Sequence, residues 1–565
     1  MQRPDARSSA ATRPYDGRVT SLPPVPALSS ATLDMLAAAL TRAHYTPAAL
    51  RGLWGTDVDA ALEANDPAPA RRRCVRALAA EAPARDRALA AIALLFLLDT
   101  PVSVDDAALS LGADLAARLT EEGLLVHTAA EAPDGTAMLR SVLALTAHPL
   151  PVGVPRGLAP GDDTLLLVAD HGTLTRPDAL DGDYVLGCGG AGRTLLDLTP
   201  RGPVALAADI GTGCGIQAVL LARHADRVIA TDLSQRALDI ARLTVGLAGV
   251  GDRVELRRGS LYEPLPEKVD LLVSNPPFVI TPRSPEADGR SGEAGDEVPG
   301  LFGYRDGGLT GDAIMRTMVA SAPEHLRDDG TAVMLGNWEH GGGRDLPTAW
   351  LDGGAEARRT SAMVIERQRM RPAAYARTWI RDGGVARASA RWHEDVDRWL
   401  TDLEARDVDE VGFGWIVLHR TGSAEAAVRD LAQIESGPGA NPAGLSAFVA
   451  ARLALLEWLW EADDAELVGT SFQLAPDVTE HRHLRPGADD PTMITVEQGG
   501  GLAQTFRADP ALAGFLGVCD GTLTLGQTAA ALAQLLDADA AALTAQLTGQ
   551  VRTLVPAGVI VPVTD

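Results

Sequence analysis

Residues 205–232 read ALAADIGTGCGIQAVLLARHADRVIATD, and this stretch decides the fold class. The apolar run ALAADI predicts a strand, and a glycine-rich turn follows it. IQAVLLARHA then predicts a helix, and RVIATD a second strand. Downstream the alternation continues. SQRALDIARLTVGLAG predicts a helix, RVELRRGS and VDLLVSN strands, DAIMRTMVASAPEHL a helix and TAVMLGN a strand. Repeated strand–helix units imply a mostly parallel, doubly wound α/β sheet. SAMVIERQ and VGFGWIVLHR add two strands and bring the expected sheet to seven, with an arginine-rich helical insertion, residues 369–405, between them.

Outward from this core, the chain of 565 residues divides into four expected parts. Residues 1–30 are polar and Pro/Ser-rich, lack an apolar h-region, and are expected to be a disordered leader. Residues 31–150 are expected to form a helical domain. Within it PVSVDDAALSLGADLAARLTEEGLLV, residues 101–126, has the helix–turn–helix–strand outline of a winged helix. The core domain is expected over 151–422, with 151–200 as its lead-in. Residues 423–565 are expected to be an acidic, helical domain whose end again has winged-helix proportions. The run Ala88–Leu98 is too short to span a bilayer and reads as a buried helix.

The formal net charge is −25, from 50 Lys+Arg against 75 Asp+Glu, and Lys268 is the one lysine. Such a balance disfavours a surface given over to nucleic acid, which needs cationic footprints. It leaves room for a local basic groove. The four cysteines Cys74, Cys188, Cys214 and Cys519 lie far apart with no metal-ligand spacing, which argues against structural zinc or a disulfide framework and fits a cytoplasmic protein. His481 and His483 alternate on one face of an extended segment, but two histidines alone do not make a metal site.

Two motifs carry chemistry. In the first, Asp209-Ile210-Gly211-Thr212-Gly213-Cys214-Gly215, the glycines suit a tight turn that approaches a ligand closely. The spacing is D-x-G-x-G-x-G and not the dinucleotide G-x-G-x-x-G. Asp232 ends the next strand, where a carboxylate can take both ribose hydroxyls of a nucleoside. The second motif, Asn275-Pro276-Pro277-Phe278, closes the strand VDLLVSN. Both motifs follow strands, so both face the cleft at the carboxyl edge of the sheet. An amide or exocyclic amine nitrogen is a poor nucleophile because its lone pair is delocalised. The Asn275 side-chain oxygen and the Pro276 carbonyl can accept its two N–H groups, orienting it and stabilising charge that develops during attack. Phe278 offers a face on which a flat substrate group can stack.

Together the glycine motif, Asp232 and the NPPF segment resemble the class I S-adenosylmethionine-dependent methyltransferases that act on planar nitrogen, among them the HemK-type protein-glutamine and the nucleobase N-methyltransferases. The resemblance covers about residues 187–420. Arg193-Thr194-Leu195-Leu196 and Tyr304-Arg305-Asp306-Gly307-Gly308-Leu309 extend it toward the HemK type. It implies a Rossmann-like fold and S-adenosyl-L-methionine held by Asp209, Gly211, Thr212, Gly213, Gly215, Asp232, Leu233, Ser260, Leu261 and Asn275. Asn275, Pro276, Pro277 and Phe278 are the implied catalytic group. Ser260 stands where the family usually has an acid, and Phe278 where it often has tyrosine.

The favoured acceptor is a protein or peptide glutamine-type amide. A ribosomal or transfer RNA nucleobase, a natural product, or a non-catalytic scaffold that binds S-adenosylmethionine are the alternatives. Residues 284–300 hold five acids and one arginine, which suits an acidic lid over the cleft and disfavours a polyanionic substrate. Against it, residues 358–398 hold ten arginines and five acids. This stretch, Arg358–Arg398, is where RNA would have to bind. The favoured reading is instead a helical face salt-bridged to the acidic C-terminal part. No membrane association and no metal are expected.

Overall fold

The computed structural model describes residues 22–79, 82–131, 135–154, 163–172, 174–175, 183–282, 309–351, 354–387, 389–422, 428–434, 439 and 441–563. The expected acidic lid, 284–300, and all of 304–309 but Leu309 lie outside the described residues.

The N-terminal part is helical from Ser30 to Leu97 and ends in a small sheet of β1 (Val102–Ser103), β2 (Leu125–Glu131) and β3 (Ala137–Ser141), ordered β1-β3-β2. Helices Val104–Leu111 and Ala113–Glu121 lie between β1 and β2, broken at Gly112, whose φ of +94° suits glycine. Arg118, the single cation of the second helix, is tied to Asp114 at 3.2 Å. The run 88–98 is buried as expected, but its last turn, Ala93–Leu97, winds as a π-helix.

An antiparallel hairpin of β4 (Ala144–Pro149) and β5 (Thr164–Ala169) leads into the core. It straddles the expected boundary at residue 150, so that boundary cuts a paired element. The central sheet comprises β6 (Val204–Ile210), β7 (Ala225–Asp232), β8 (Val254–Arg258), β9 (Val269–Ser274), β10 (Leu326–His340), β11 (Thr360–Met370), β12 (Glu410–Arg420) and β13 (Arg429–Gln433). Its order is β13-β11-β12-β10-β9-β6-β7-β8. Strands β8, β7, β6, β9 and β10 run parallel, and β12 is antiparallel to both β10 and β11. Among the described residues the sheet therefore has eight strands, not seven. The additional strand β13 pairs in parallel with β11 and carries the core past the expected end at 422. Alternating Leu, Ala and Gln around Arg429–Gln433 makes too short a pattern to read as a strand without its partner.

Two further expectations change. Residues 22–30 are part of the packed structure rather than a loose leader. The Pro23 carbonyl accepts from Arg236, Val25 and Leu28 pack on the core, and Ser29 donates to Glu122. The region after 433 is not only helical. Beyond helix Leu445–Glu461 come a sheet of β15 (Val478–His483), β16 (Met493–Gln498) and β17 (Thr505–Ala508), and another of β14 (Ser471–Leu474), β18 (Asp520–Thr524) and β19 (Ile560–Pro562). One continuous hydrophobic core runs from Leu33 through the central sheet, and a second fills the part from Leu459 to Ile560. His481 and His483 lie exposed on β15, His481 3.2 Å from Glu497. Among the described residues no helix is long and apolar enough to cross a membrane.

Candidate active site

Strands β6, β7, β8 and β9 end level with one another, Ile210 beside Thr231 and Ser274, and Asp232 beside Arg258. The four loops that follow, 211–215, 233–234, 259–261 and 275–278, therefore meet at one edge. This is where an open α/β sheet binds ligands.

The glycine loop is held in a shape that side chains resist. Gly211, Gly213 and Gly215 have φ of +73°, +52° and +84°. A Cβ on Gly215 would lie 3.1 Å from Cα and Cβ of Ala241, so the loop is seated against helix Gln235–Leu247. A Cβ on Gly213 would meet nothing within 4 Å, which marks open space above the loop. The Gly211 and Thr212 amides donate to the Thr231 carbonyl at 2.9 and 2.8 Å.

Asp209 is fully buried. Its Oδ2 accepts from the Thr212 hydroxyl at 2.6 Å and the Ala218 amide at 3.1 Å, bracing the loop against the helix that follows. Burial, offset by these two bonds and reinforced by the nearby Asp232 charge, pushes its carboxyl up to about 7. Asp209 thus shapes the loop; only its Oδ1, sealed and without a partner, is left for anything else. Asp232 is differently placed. Its Oδ2 accepts from the Gly213 amide and its Oδ1 from the Ser234 amide, both at 2.9 Å. Each oxygen keeps lone pairs for further donors. Burial raises the Asp232 pKa, while the backbone bonds counter that rise.

Leu233 is 65% exposed and offers an apolar rim beside Asp232. Ser260 is exposed, and Leu261 takes a left-handed φ of +47°. This loop is drawn to the same place by the Gly259 amide, which donates to the Asp232 carbonyl at 3.1 Å.

Asn275 is half-buried between two glycine segments. A Cβ on Gly211 would lie 4.0 Å from its carbonyl oxygen, and a Cβ on Gly192 3.8 Å from its Nδ2. Gly192 sits in the first turn of helix Gly190–Leu198, the segment that carries Arg193 to Leu196. One expectation about this motif gains a constraint and another needs correction. The Pro276 carbonyl already accepts from the Phe278 amide at 2.8 Å, so one of its lone pairs is engaged. Phe278 is 6% exposed and does not offer an open stacking face. Its ring packs edge-on against Trp379, 6.3 Å between centroids, and against Phe413 at 5.5 Å.

Sequence reasoning missed the residues behind this motif. Tyr375 is fully buried; its hydroxyl accepts from the Ile280 amide at 2.9 Å and lies 2.6 Å from Asn337 Nδ2. Tyr375 also packs against Trp379 and Trp399. These aromatics belong to the helical insertion, helices Pro372–Asp382 and Ala390–Ala405, and to β12. Tyr375, Trp379, Trp392, Trp399, Phe413 and Trp415 fall within 41 residues of a chain that is 4% aromatic, a concentration that was the available signal.

Among the described residues, the ion pairs made by arginines of 358–398 go to acids outside the acidic C-terminal part that was expected to take them. Arg359 pairs with Asp328 and Glu356, Arg369 with Glu366 and Glu410, and Arg391 and Arg398 with Asp395. The long-range pairs, Arg359 with Asp328 and Arg369 with Glu410, join β11 and its flank to β10 and β12, whereas those of the helical Arg391 and Arg398 are local, three or four residues apart. Cys188 and Cys214 lie beside the cleft with thiols pushed up by burial to about 11 and about 12, so both stay protonated and unreactive near neutrality.

Residues 191–285 match the methyltransferase small domain family, a stretch that spans both the glycine loop and Asn275–Phe278. Residues 42–135 and 450–562 match two families described as domains of unknown function. A ribosomal protein uL3 glutamine methyltransferase of Bradyrhizobium diazoefficiens is 37% identical over 158 residues, 26% of this chain and 46% of its own. A release factor glutamine methyltransferase of Xylella fastidiosa is 39% identical over 139 residues, 24% of this chain and 47% of its own. The chain spans about half the length of the curated relatives it matches. With the sheet described above, the core has a Rossmann-like class I methyltransferase fold, and within it residues 191–285 are similar to the methyltransferase small domain family.

Proposed function

We propose that this protein is an S-adenosylmethionine-dependent N-methyltransferase whose acceptor is a glutamine-type amide of a polypeptide. The observation that carries the reading is the adjacency of Asn275 to the glycine loop, across paired strands β6 and β9. The relatives named above as glutamine methyltransferases match this same stretch and favour a protein acceptor over RNA.

The residues present fit the cofactor. The open space over Gly213 admits a ligand against the backbone, Asp232 keeps lone pairs for two ribose hydroxyls, and Leu233 and the 259–261 loop flank a flat base. When bound, S-adenosylmethionine supplies an electrophilic methyl group on a sulfonium. The chain's part is positioning. Asn275 Oδ1 accepts one N–H of the acceptor amide, and the remaining lone pair of the Pro276 carbonyl accepts the other. Both acceptors are fixed before reaction, so they stabilise positive charge on nitrogen without reorganising. No side-chain base is needed before attack, because the acidic proton exists only afterwards. Phe278 acts as a wall that holds the Pro276–Pro277 turn in place rather than as a stacking platform.

The test has two parts. Calorimetric titration with S-adenosylhomocysteine is expected to give binding at micromolar ligand, and silence at millimolar ligand would sink the cofactor reading. Asn275→Ala is expected to bind S-adenosylhomocysteine within twofold of wild type. It should lose about 100- to 1,000-fold in transfer of label from methyl-labelled S-adenosylmethionine to protein. Equal loss of binding and turnover would make Asn275 structural.

A further inference from the structure

Arg367 stands apart from the other arginines of its region. It lies at the bulge where β11 changes register against β12, between Glu366 and Gln368. Its guanidinium sits over the rings of Phe413, 5.8 Å from the centroid, and Trp415, at 4.8 Å. Its Nη1 donates to the Thr194 hydroxyl at 3.3 Å. Among the described residues no carboxylate pairs with it, although its neighbours Glu366, Arg369 and Arg359 are all tied into ion pairs. Its other guanidinium nitrogens are not among the sealed, unpartnered polar atoms, so they reach solvent. Burial lowers its pKa, and because a guanidinium keeps its charge in proteins the cation is held partly desolvated.

The contacts of Arg367 place it around Asn275. Thr194 is two residues past Gly192, which borders the Asn275 side chain. Phe413 packs on Phe278, three residues past Asn275. The guanidinium therefore bridges helix Gly190–Leu198 and β12, two elements that flank Asn275–Phe278, and in the sheet β11 and β7, the strand of Asp232, lie on opposite sides of β9. A half-desolvated cation with free donors is costly unless an anion completes it, and a planar fork held on aromatic faces is pre-shaped for a carboxylate.

We propose that Arg367 is a specificity-determining residue that binds a carboxylate of the acceptor polypeptide close to the amide to be methylated. This rests on the reading of Asn275 as the amide site. The acceptor would then carry an acidic side chain, or a terminal carboxylate, within one or two residues of its glutamine.

The test uses the full chain saturated with S-adenosylhomocysteine and three probes. These are the acetylated peptide amides Gly-Gln-Glu and Gly-Gln-Gln, and acetylated Gly-Gln-Gly with a free carboxyl terminus. Wild type is expected to bind an acidic probe about five- to tenfold more tightly than the neutral one, a preference that fades with salt. The two acidic probes distinguish a side-chain from a terminal carboxylate. Arg367→Met is expected to remove the preference while S-adenosylhomocysteine affinity stays within twofold, and Arg367→Lys to retain part of it. Equal binding of all three probes by wild type overturns the proposal without any variant, as does a preference that survives in Arg367→Met. A parallel loss of S-adenosylhomocysteine affinity would assign Arg367 to the cofactor instead. Failure of wild type to bind S-adenosylhomocysteine at all refutes the cofactor reading separately.

Discussion

Alanine at Gly213 and at Gly215 should separate the two demands on the glycine loop. Gly215 has φ +84°, and its added Cβ would meet Cα and Cβ of Ala241 at 3.1 Å and the Ala241 carbonyl at 3.4 Å. Ala241 is fully buried in a packed helix, so these are atoms that no rotamer change moves aside. The left-handed backbone costs alanine roughly 1–2 kcal/mol. Overpacking against the helix adds roughly 1–3 kcal/mol. Gly215→Ala should therefore lose about 2–5 kcal/mol, a large share of a typical domain's stability. Gly213 has φ +52° and nothing within 4 Å of its Cβ. Gly213→Ala carries only the backbone cost, partly offset by a less flexible unfolded chain, for a loss of about 1 kcal/mol or less. That methyl enters the space assigned to the cofactor, so S-adenosylhomocysteine affinity should fall at least about tenfold, a conversion of about 1.4 kcal/mol. Urea unfolding followed by circular dichroism measures the first effect, and calorimetry the second. The expected result is an inversion, with the more stable variant binding less well. Equal destabilisation by both substitutions, or wild-type affinity in Gly213→Ala, would refute the assignment of that open space.

Three other outcomes follow from the site. Asp232→Asn should weaken S-adenosylhomocysteine binding about tenfold. Since burial raises the Asp232 pKa and the ionised form is the acceptor, wild-type affinity should fall as pH drops through that raised value, while the variant's affinity stays flat; a sloping variant profile would point to another group. Glu366 is 3% exposed. Although burial alone would raise its pKa, hydrogen bonds from His340, Arg369 and Gln433 hold it at about 2. Its folded pKa is below the unfolded one, so its contribution is full above about pH 4.3 and is lost as pH falls toward 2, on the order of 3 kcal/mol. Wild-type urea midpoints should drop over that window more steeply than those of Glu366→Gln, and parallel curves would contradict the network. Tyr375→Phe removes the hydroxyl at Ile280 and Asn337 and should cost roughly 1–3 kcal/mol; turnover should fall more than cofactor affinity, and the reverse would place Tyr375 on the cofactor side.

The cofactor half of the cleft was legible because its signals are local. Asp209, the three glycines and the helix after them lie within one β–turn–α unit, and Asp232 ends the very next strand. Asn275 was legible for the same reason, as the last word of a strand. What sequence reasoning misjudged depended on partners far along the chain. Phe278 looked like a stacking face because nothing nearby covers it; Phe413 and Trp379, more than a hundred residues on, do. The strand β13 is a strand only because β11 lies beside it. Arg359, Arg369, Arg391 and Arg398 found their acids within the core, a choice that charge counts over whole segments cannot resolve. Asp209 looked like a ligand because it shares a motif with the ligand-facing glycines, yet its bonds run inward to Thr212 and Ala218.

That contrast has a chemical consequence. A cofactor is the same molecule for every enzyme that uses it, so its half of the site can be written in a short recurring phrase. The acceptor half must fit one substrate. In the proposed site it is assembled from Asn275–Phe278, helix Gly190–Leu198, the insertion that supplies Tyr375 and Trp379, and strands β11 and β12 that supply Arg367 and Phe413. The Tyr375 hydroxyl that receives the Ile280 amide is 95 residues away in sequence. On the proposed reading, substitutions in the insertion should therefore retune acceptor choice while the loop around Gly213 and Asp232 continues to serve the cofactor. The two halves meet at Asn275. That residue is bordered by Gly211 on one side and Gly192 on the other, so a change there cannot be confined to either half.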